Sequence, residues 1–231
     1  MATKTQTKTP RTERRMDALS KERIVEAAIK ILDTDGESAL TFRALAARLA
    51  TGSGAIYWHV ADKSELLAAA TDEVVARVMT GVVSGAEPRE AIRAIALGVF
   101  DAIDAHPWAG AQLFREPWRP AMLQILEGIG GRLRALGVPE RAQFDAASAL
   151  VNYVLGVAGQ NAANARLVPP GTDRATFLGA VAARWAQLDP SEYSFVRQVA
   201  TQLREHDDRE QFLAGIDLIL AGIGTLREDA R

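Results

Sequence analysis

LTFRALAARLATGSGAIYWHV, residues 40–60, reads as two short helices joined by a tight turn, with Tyr57-Trp58-His59 closing the second. Thr41 opens the first helix, and Phe42, Leu45, Ala46 and Leu49 fall inward at helical spacing. A turn at Ala50–Gly52 leads to a third helix over about Ser53–His59. This is the outline of a helix-turn-helix, in which one helix braces on the DNA backbone and the next enters the major groove. Leu45, Leu49 and Ile56 supply the apolar contacts between the two helices, and Ala46 is small where they cross. Gly52 and Gly54 are expected to let the backbone turn tightly and approach a phosphate. Ala55 offers a methyl-sized surface suited to a thymine methyl.

Working outward, Ser20 caps a preceding helix whose inner face is Ile24, Ala27, Ala28, Ile31 and Leu32, and Gly36 ends it. Asp62-Lys-Ser-Glu65 has capping-box spacing and opens a longer helix with Leu66, Leu67, Ala70, Val74 and Val78 on one side. Residues 1–18 lack any apolar period and read as a disordered basic arm. The organisation expected is that arm, a DNA-binding domain over 19–66, a connecting helix and linker over 67–87, and a larger domain over 88–231. The segment 84–88 is the expected seam, with Pro88 suited to a first helical position. Beyond it the pattern predicts helices at roughly 88–104, 118–136, 139–166, 173–188, 190–206 and 208–227. Asp189-Pro-Ser-Glu192 is the start signal of the fifth of these. No stretch alternates as a strand does, so the fold class is all-α.

Composition narrows the function. The chain has 231 residues, 48% of them hydrophobic, enough for one or two real cores. No apolar run reaches the ~18–20 residues of a membrane helix, and no signal-peptide segment is present, so a cytoplasmic location is expected. The absence of cysteine removes disulfides, thiolate metal sites and cysteine nucleophiles. The net charge of -2 is unevenly distributed. Up to Leu66 there are 11 basic and 9 acidic residues, and afterwards 16 and 20, so phosphate attraction concentrates at the amino end. An enzyme reading has little to work with: His59, His106 and His206 are the only histidines, and neither HExxH nor Gly-x-Ser-x-Gly occurs. A helical interaction protein without DNA binding stays open, and it predicts no basic surface around Arg43 and Lys63.

The segments SKERIVEAAIKIL, LTFRALAARLA and IYWHVADKSELL make residues 20–67 resemble, without gaps, the DNA-binding domain of the tetracycline-repressor (TetR) family. The resemblance implies that Arg43 and the short helix Ser53–His59 face the major groove, with Ser53, Gly54 and Ala55 at its tip. Arg43 would read a base, guanine by its two-donor fork. Thr41, Tyr57 and Lys63 would hold phosphates, and His59 either a base or a phosphate. Trp58 is expected in the core, anchoring the third helix. Two departures stand out. Ala50 replaces the turn's usual glycine, so it either avoids a positive φ or carries about 1 kcal/mol of strain. Ser53-Gly54-Ala55 has few long polar side chains, which shifts readout toward DNA shape.

The segments HPWAGAQLF, LRALGVPERAQFDAASALVNYVLG and FLAGIDLILAGI resemble the regulatory domain of the same family. This implies a homodimer joined by a four-helix bundle. The last helix would present Phe212, Ile216, Ile219, Leu220 and Ile223, against a helix carrying Tyr153, Leu155 and Gly156. It also implies a small-molecule pocket, for which Phe100, Trp108, Leu113, Phe114, Trp118, Met122, Asn152, Tyr153, Gln160 and Asn161 are candidates. Leu113 stands where the tetracycline-binding relative has a magnesium-ligating histidine, and Gln160-Asn161 where an acidic partner is expected. The effector expected is therefore a small apolar organic molecule, with no metal and no cofactor.

Overall fold

The computed structural model describes residues 19–82, 85–115, 117–165, 167–169 and 171–226. The basic arm expected over 1–18 lies outside them. Among the described residues there are eleven α-helices and no strand. The chain divides into two compact units, Met1–Ala70 and Thr71–Arg231. The division falls inside a helix rather than at 84–88, because α4 (Lys63–Gly81) runs unbroken through both units. Its first turns bury Leu66, Leu67 and Ala70, and its later turns bury Val74 and Val75.

In the first unit, α1 (Lys21–Asp35) is capped by Ser20, whose hydroxyl accepts from the Arg23 N–H at 3.3 Å. It buries Ile24, Ala28, Ile31 and Leu32, and Gly36 ends it at φ 79°. A 3₁₀ turn (Glu37–Ala39) leads to α2 (Phe42–Arg48), whose cap is Thr41 accepting from the Ala44 N–H. The third helix, α3, is shorter than expected at Ser53–Tyr57. The Asp62 carboxylate accepts from the Glu65 N–H at 2.8 Å, and the Glu65 side chain reaches back to the Ala61 N–H at 2.8 Å. Two otherwise unpaired donors at the start of α4 are thereby satisfied.

In the second unit, α5 (Pro88–Ala105), α7 (Pro120–Ala135) and α8 (Glu140–Ala165) pack together around Ile92, Ile95, Val99, Ile125, Ile129, Leu150 and Val154. Gly98 lets α5 approach α4 closely: a Cβ there would lie 2.6 Å from Val78 Cγ1. A helix that the pattern missed, α6 (Pro107–Arg115), follows directly on His106, which caps the end of α5 through its backbone N–H. Pro107 was its one local signal, since proline suits a first helical position.

The last helices are α9 (Arg174–Ala186), α10 (Ser194–Val199), a 3₁₀ turn (Gln202–Glu205) and α11 (Asp208–Thr225). The expected helix 190–206 is broken. Asp189 does not cap a helix; its carboxylate accepts from the Ser191 N–H at 2.8 Å and from its hydroxyl at 2.6 Å, closing a local turn. Those bonds, the hydroxyl first, hold the Asp189 carboxyl below its ordinary range. The Arg197 guanidinium donates to the carbonyls of Ala186 and Leu188, which closes the C-terminal end of α9 over the same turn.

Candidate functional site

The centre of the first unit is the junction of α2 and α3. Leu45 and Ile56 are fully buried, and Ala46 is nearly so. The turn between them is a Schellman motif: the Thr51 N–H donates to the Ala46 carbonyl at 2.9 Å, and Ala50 sits at φ 51°. Left-handed backbone is therefore imposed on Ala50, a residue with a Cβ. Gly52 and Gly54 do not take positive φ. Their surroundings are open instead, with nothing within 4 Å of where a Cβ would stand. This leaves the leading edge of α3 accessible at backbone level.

Arg43 and Thr41 are exposed on the flank of α2. The Tyr57 ring stacks on Phe42, centroids 4.3 Å apart and planes 4° from parallel, yet Tyr57 stays 56% exposed. Ser53, Ala55 and His59 are half-buried. Lys63 is engaged within the unit, where its Nζ donates to the Glu37 carbonyl. The Glu22 carboxyl is held below its ordinary range, first by its own backbone N–H, then by the Ser20 hydroxyl, with a smaller contribution from His59. Trp58 corrects the core assignment: it is 90% exposed. Ile56 and Val60 take the inward direction at this end of α3, and Trp58 lies between them on the opposite side. The unit thus presents Arg43 on α2, Gly54 and Tyr57 on α3 and Trp58 at its C-cap, all exposed.

In the second unit the residues expected to line a pocket are dispersed. Phe100, Trp108 and Leu113 are buried, and Phe100 stacks on Phe212 at 4.6 Å. Met122 is partly buried against the core. Phe114, Trp118 and Asn152 are exposed. Gln160 and Asn161 do line a cavity of about 740 Å³, but with residues of α9, α10 and α11. Asn161 Nδ2 donates to Asp104 at 3.0 Å. Gln112, absent from the expected set, has a buried Nε2 with no partner among the described residues.

The expected interface face of α11 is corrected as well. Phe212, Ile216, Leu220 and Ile223 are buried in the chain's own core, and Ile219 is half-buried against it. Leu155 is buried too. Tyr153 lies over α11: its hydroxyl donates to the Phe212 carbonyl at 3.2 Å, and a Cβ on Gly215 would collide with the Tyr153 hydroxyl oxygen. Burial pushes the Tyr153 phenol up from its ordinary range. The outward face of α11 carries Ala214, Leu218 and Ala221, with Leu218 76% exposed. The outward face of α8 carries Ala149, Asn152 and Gly156.

Residues 24–70 match the description "bacterial regulatory proteins, tetR family", and residues 85–227 match "tetracyclin repressor-like, C-terminal domain". The chain belongs to the TetR family. Among solved TetR structures, the transcriptional regulator SCO7222 from Streptomyces coelicolor is 54% identical; the match covers 91% of this chain and 100% of that one, at a TM-score of 0.84. BioQ with its double-stranded DNA operator is 26% identical, at a TM-score of 0.61 over 90% of this chain and 99% of that one. An HTH-type transcriptional regulator of Saccharopolyspora erythraea is 35% identical over 60% of this chain, and the match spans 59% of that relative's own length.

Proposed function

We propose that this TetR-family chain is a ligand-responsive DNA-binding repressor, which binds a palindromic operator as a homodimer and is released by a small organic effector. The observation that carries this reading is the α2–α3 surface. Exposed Arg43, the open backbone at Gly54, and the exposed Tyr57 and Trp58 stand together on a unit whose own core they do not serve. Arg43 takes the base-reading role, through a guanidinium that reaches two acceptors of one guanine. Thr41, Tyr57 and Trp58 take the backbone, with Ser53, Ala55 and His59 beside the groove. Lys63 acts through its clamp on Glu37 and supports the phosphate-facing end of α4.

Two such heads are needed to read a palindrome with half-sites about 34–36 Å apart or a multiple of that. The outward faces of α8 and α11 suit self-association. Ala149, Gly156, Ala214 and Ala221 permit close helix approach, and Leu218 supplies the apolar anchor. Continuous α4 is the element through which the effector shifts DNA affinity. Linkage then requires effector and operator to weaken each other equally, typically by ~1–3 kcal/mol.

Selection of bound duplexes from a random pool tests the reading. The expected product is a palindromic site occupied by a dimer. A monomer in sedimentation that retains no duplex at low ionic strength refutes it.

A further inference from the structure

Thr41, Tyr57 and Lys63 carry polar groups at the edge of the α2–α3 surface, and the fold treats them differently. The Thr41 hydroxyl accepts from the Ala44 N–H at 3.1 Å as the cap of α2. The Lys63 Nζ donates to the Glu37 carbonyl. The Tyr57 hydroxyl has no hydrogen-bond partner among the described residues, so the unit leaves it uncommitted.

The ring behind that hydroxyl is held. Phe42 is the first residue of α2 and Tyr57 the last of α3. Their rings lie 4° from parallel with centroids 4.3 Å apart. Phe42 is half-buried, whereas Tyr57 is 56% exposed. The stack therefore covers one face of the phenol and leaves much of the side chain in solvent. Trp58, next in the chain and 90% exposed, has no ring partner among the described residues.

An exposed side chain samples several rotamers and gives them up when a partner binds, which costs affinity. Tyrosine has two such torsions, and the Phe42 ring restricts both. Turning χ1 takes the phenol off Phe42, and turning χ2 breaks the parallel planes. Phe42 is itself anchored, by the Thr41 cap on one side and by fully buried Leu45 one turn on. Most of the ordering of Tyr57 thus occurs on folding rather than on contact with DNA. Phe42 has no polar group with which to hold a phosphate.

We infer that Phe42 is a positioning residue of the DNA contact: stacked on Tyr57, it holds the free phenol hydroxyl in place to donate to a backbone phosphate. The inference rests on the DNA-binding reading above and adds to it a residue that acts through another. Its effect is independent of sequence, because a phosphate contact sets position without reading bases. It also leaves the salt dependence alone, because neither side chain is charged and no counterion release belongs to the pair.

The test is anisotropy titration of the full chain with its selected operator and with an unrelated duplex, at several salt concentrations, beside thermal unfolding. Phe42→Leu keeps apolar bulk at the junction and removes the flat face. It is expected to weaken both duplexes about three- to tenfold, the scale of freezing one side chain, with an unchanged salt slope. Tyr57→Phe deletes the hydroxyl and keeps the stack. It is expected to weaken both duplexes in the parent chain and to add little once Phe42→Leu is present. Phe42→Tyr, which keeps a ring, is expected to restore the sensitivity to Tyr57→Phe. A general loss of folding would not produce that coupling. Should Phe42→Leu fail to fold, the same cycle with Phe42→Met decides. Unchanged binding in Phe42→Leu, additive losses in the double variant, or a loss confined to the operator overturns the inference. Tight operator binding indifferent to Phe42→Leu overturns it alone and leaves the regulator standing. A parent chain that retains no duplex overturns the DNA-binding reading and the inference with it.

Discussion

Helices α3 and α11 use apolar residues in opposite ways. In α3, five residues long, only Ile56 is buried, and the neighbouring aromatics Tyr57 and Trp58 are left on the surface. In α11, eighteen residues long, Phe212, Ile216, Leu220 and Ile223 all turn into the core, and one large apolar residue, Leu218, remains outside. The difference teaches that a helix of one or two turns has a single inward direction, so its other large residues are free for contact with something else. A long apolar helix has two candidate faces, and the one richer in bulk goes inside because burial stabilises in proportion to area.

The sharpest way to break this comparison is to exchange the faces of α11. Phe212→Ala should cost about 3–5 kcal/mol in urea unfolding, since it removes a ring stacked on both Phe100 and Tyr153. Leu218→Asp, one and a half turns on, should leave the isolated fold within about 0.5 kcal/mol while converting dimer to monomer in sedimentation. The reverse pattern would mean that α11 is turned the other way.

Next in size are changes at the head. Arg43→Ala should weaken operator binding by about 1–3 kcal/mol and relax preference at one base pair, measured by titration against single-base operator variants. Trp58→Ala should weaken DNA binding with the melting temperature nearly unchanged. A loss of several kcal/mol in stability would put Trp58 back in the core.

Smaller still is Ala50→Gly, which relieves left-handed strain at φ 51°. The expected gain is at most about 1 kcal/mol in thermal unfolding, reduced by glycine's greater freedom in the unfolded chain. The smallest effect is pH-dependent. Asp207, at the start of α11, accepts from the Glu210 and Arg209 N–H groups. Its carboxyl is held below the ordinary value of 3.8, mainly by the Glu210 bond. A depressed folded-state pKa stabilises above the unfolded value and is lost as pH falls through the folded one. The difference in melting temperature between the protein and Asp207→Asn should therefore be full at neutral pH and vanish in strong acid.

Much of the head was legible because its signals are local. Ser20, Thr41 and Asp62 cap the helices that they mark, and the spacing of Leu45 and Ile56 defines the junction. Trp58 was misplaced because size and apolarity argue for burial, while its direction depends on α3 ending at Tyr57. In the body, Asp189 carried every mark of a helix cap and became a turn, since Ser191 was near enough to take its carboxylate first.

What sequence alone determined is the helical class, the caps at Ser20, Thr41 and Asp62 and the helix-turn-helix, because each depends on residues within a few positions of one another. Only the tertiary structure decided which face of α11 is buried, and that Gln160 and Asn161 share a cavity with α9 and α10. Those outcomes depend on packing between segments distant along the chain, and helical periodicity records that a face is apolar without recording what will cover it.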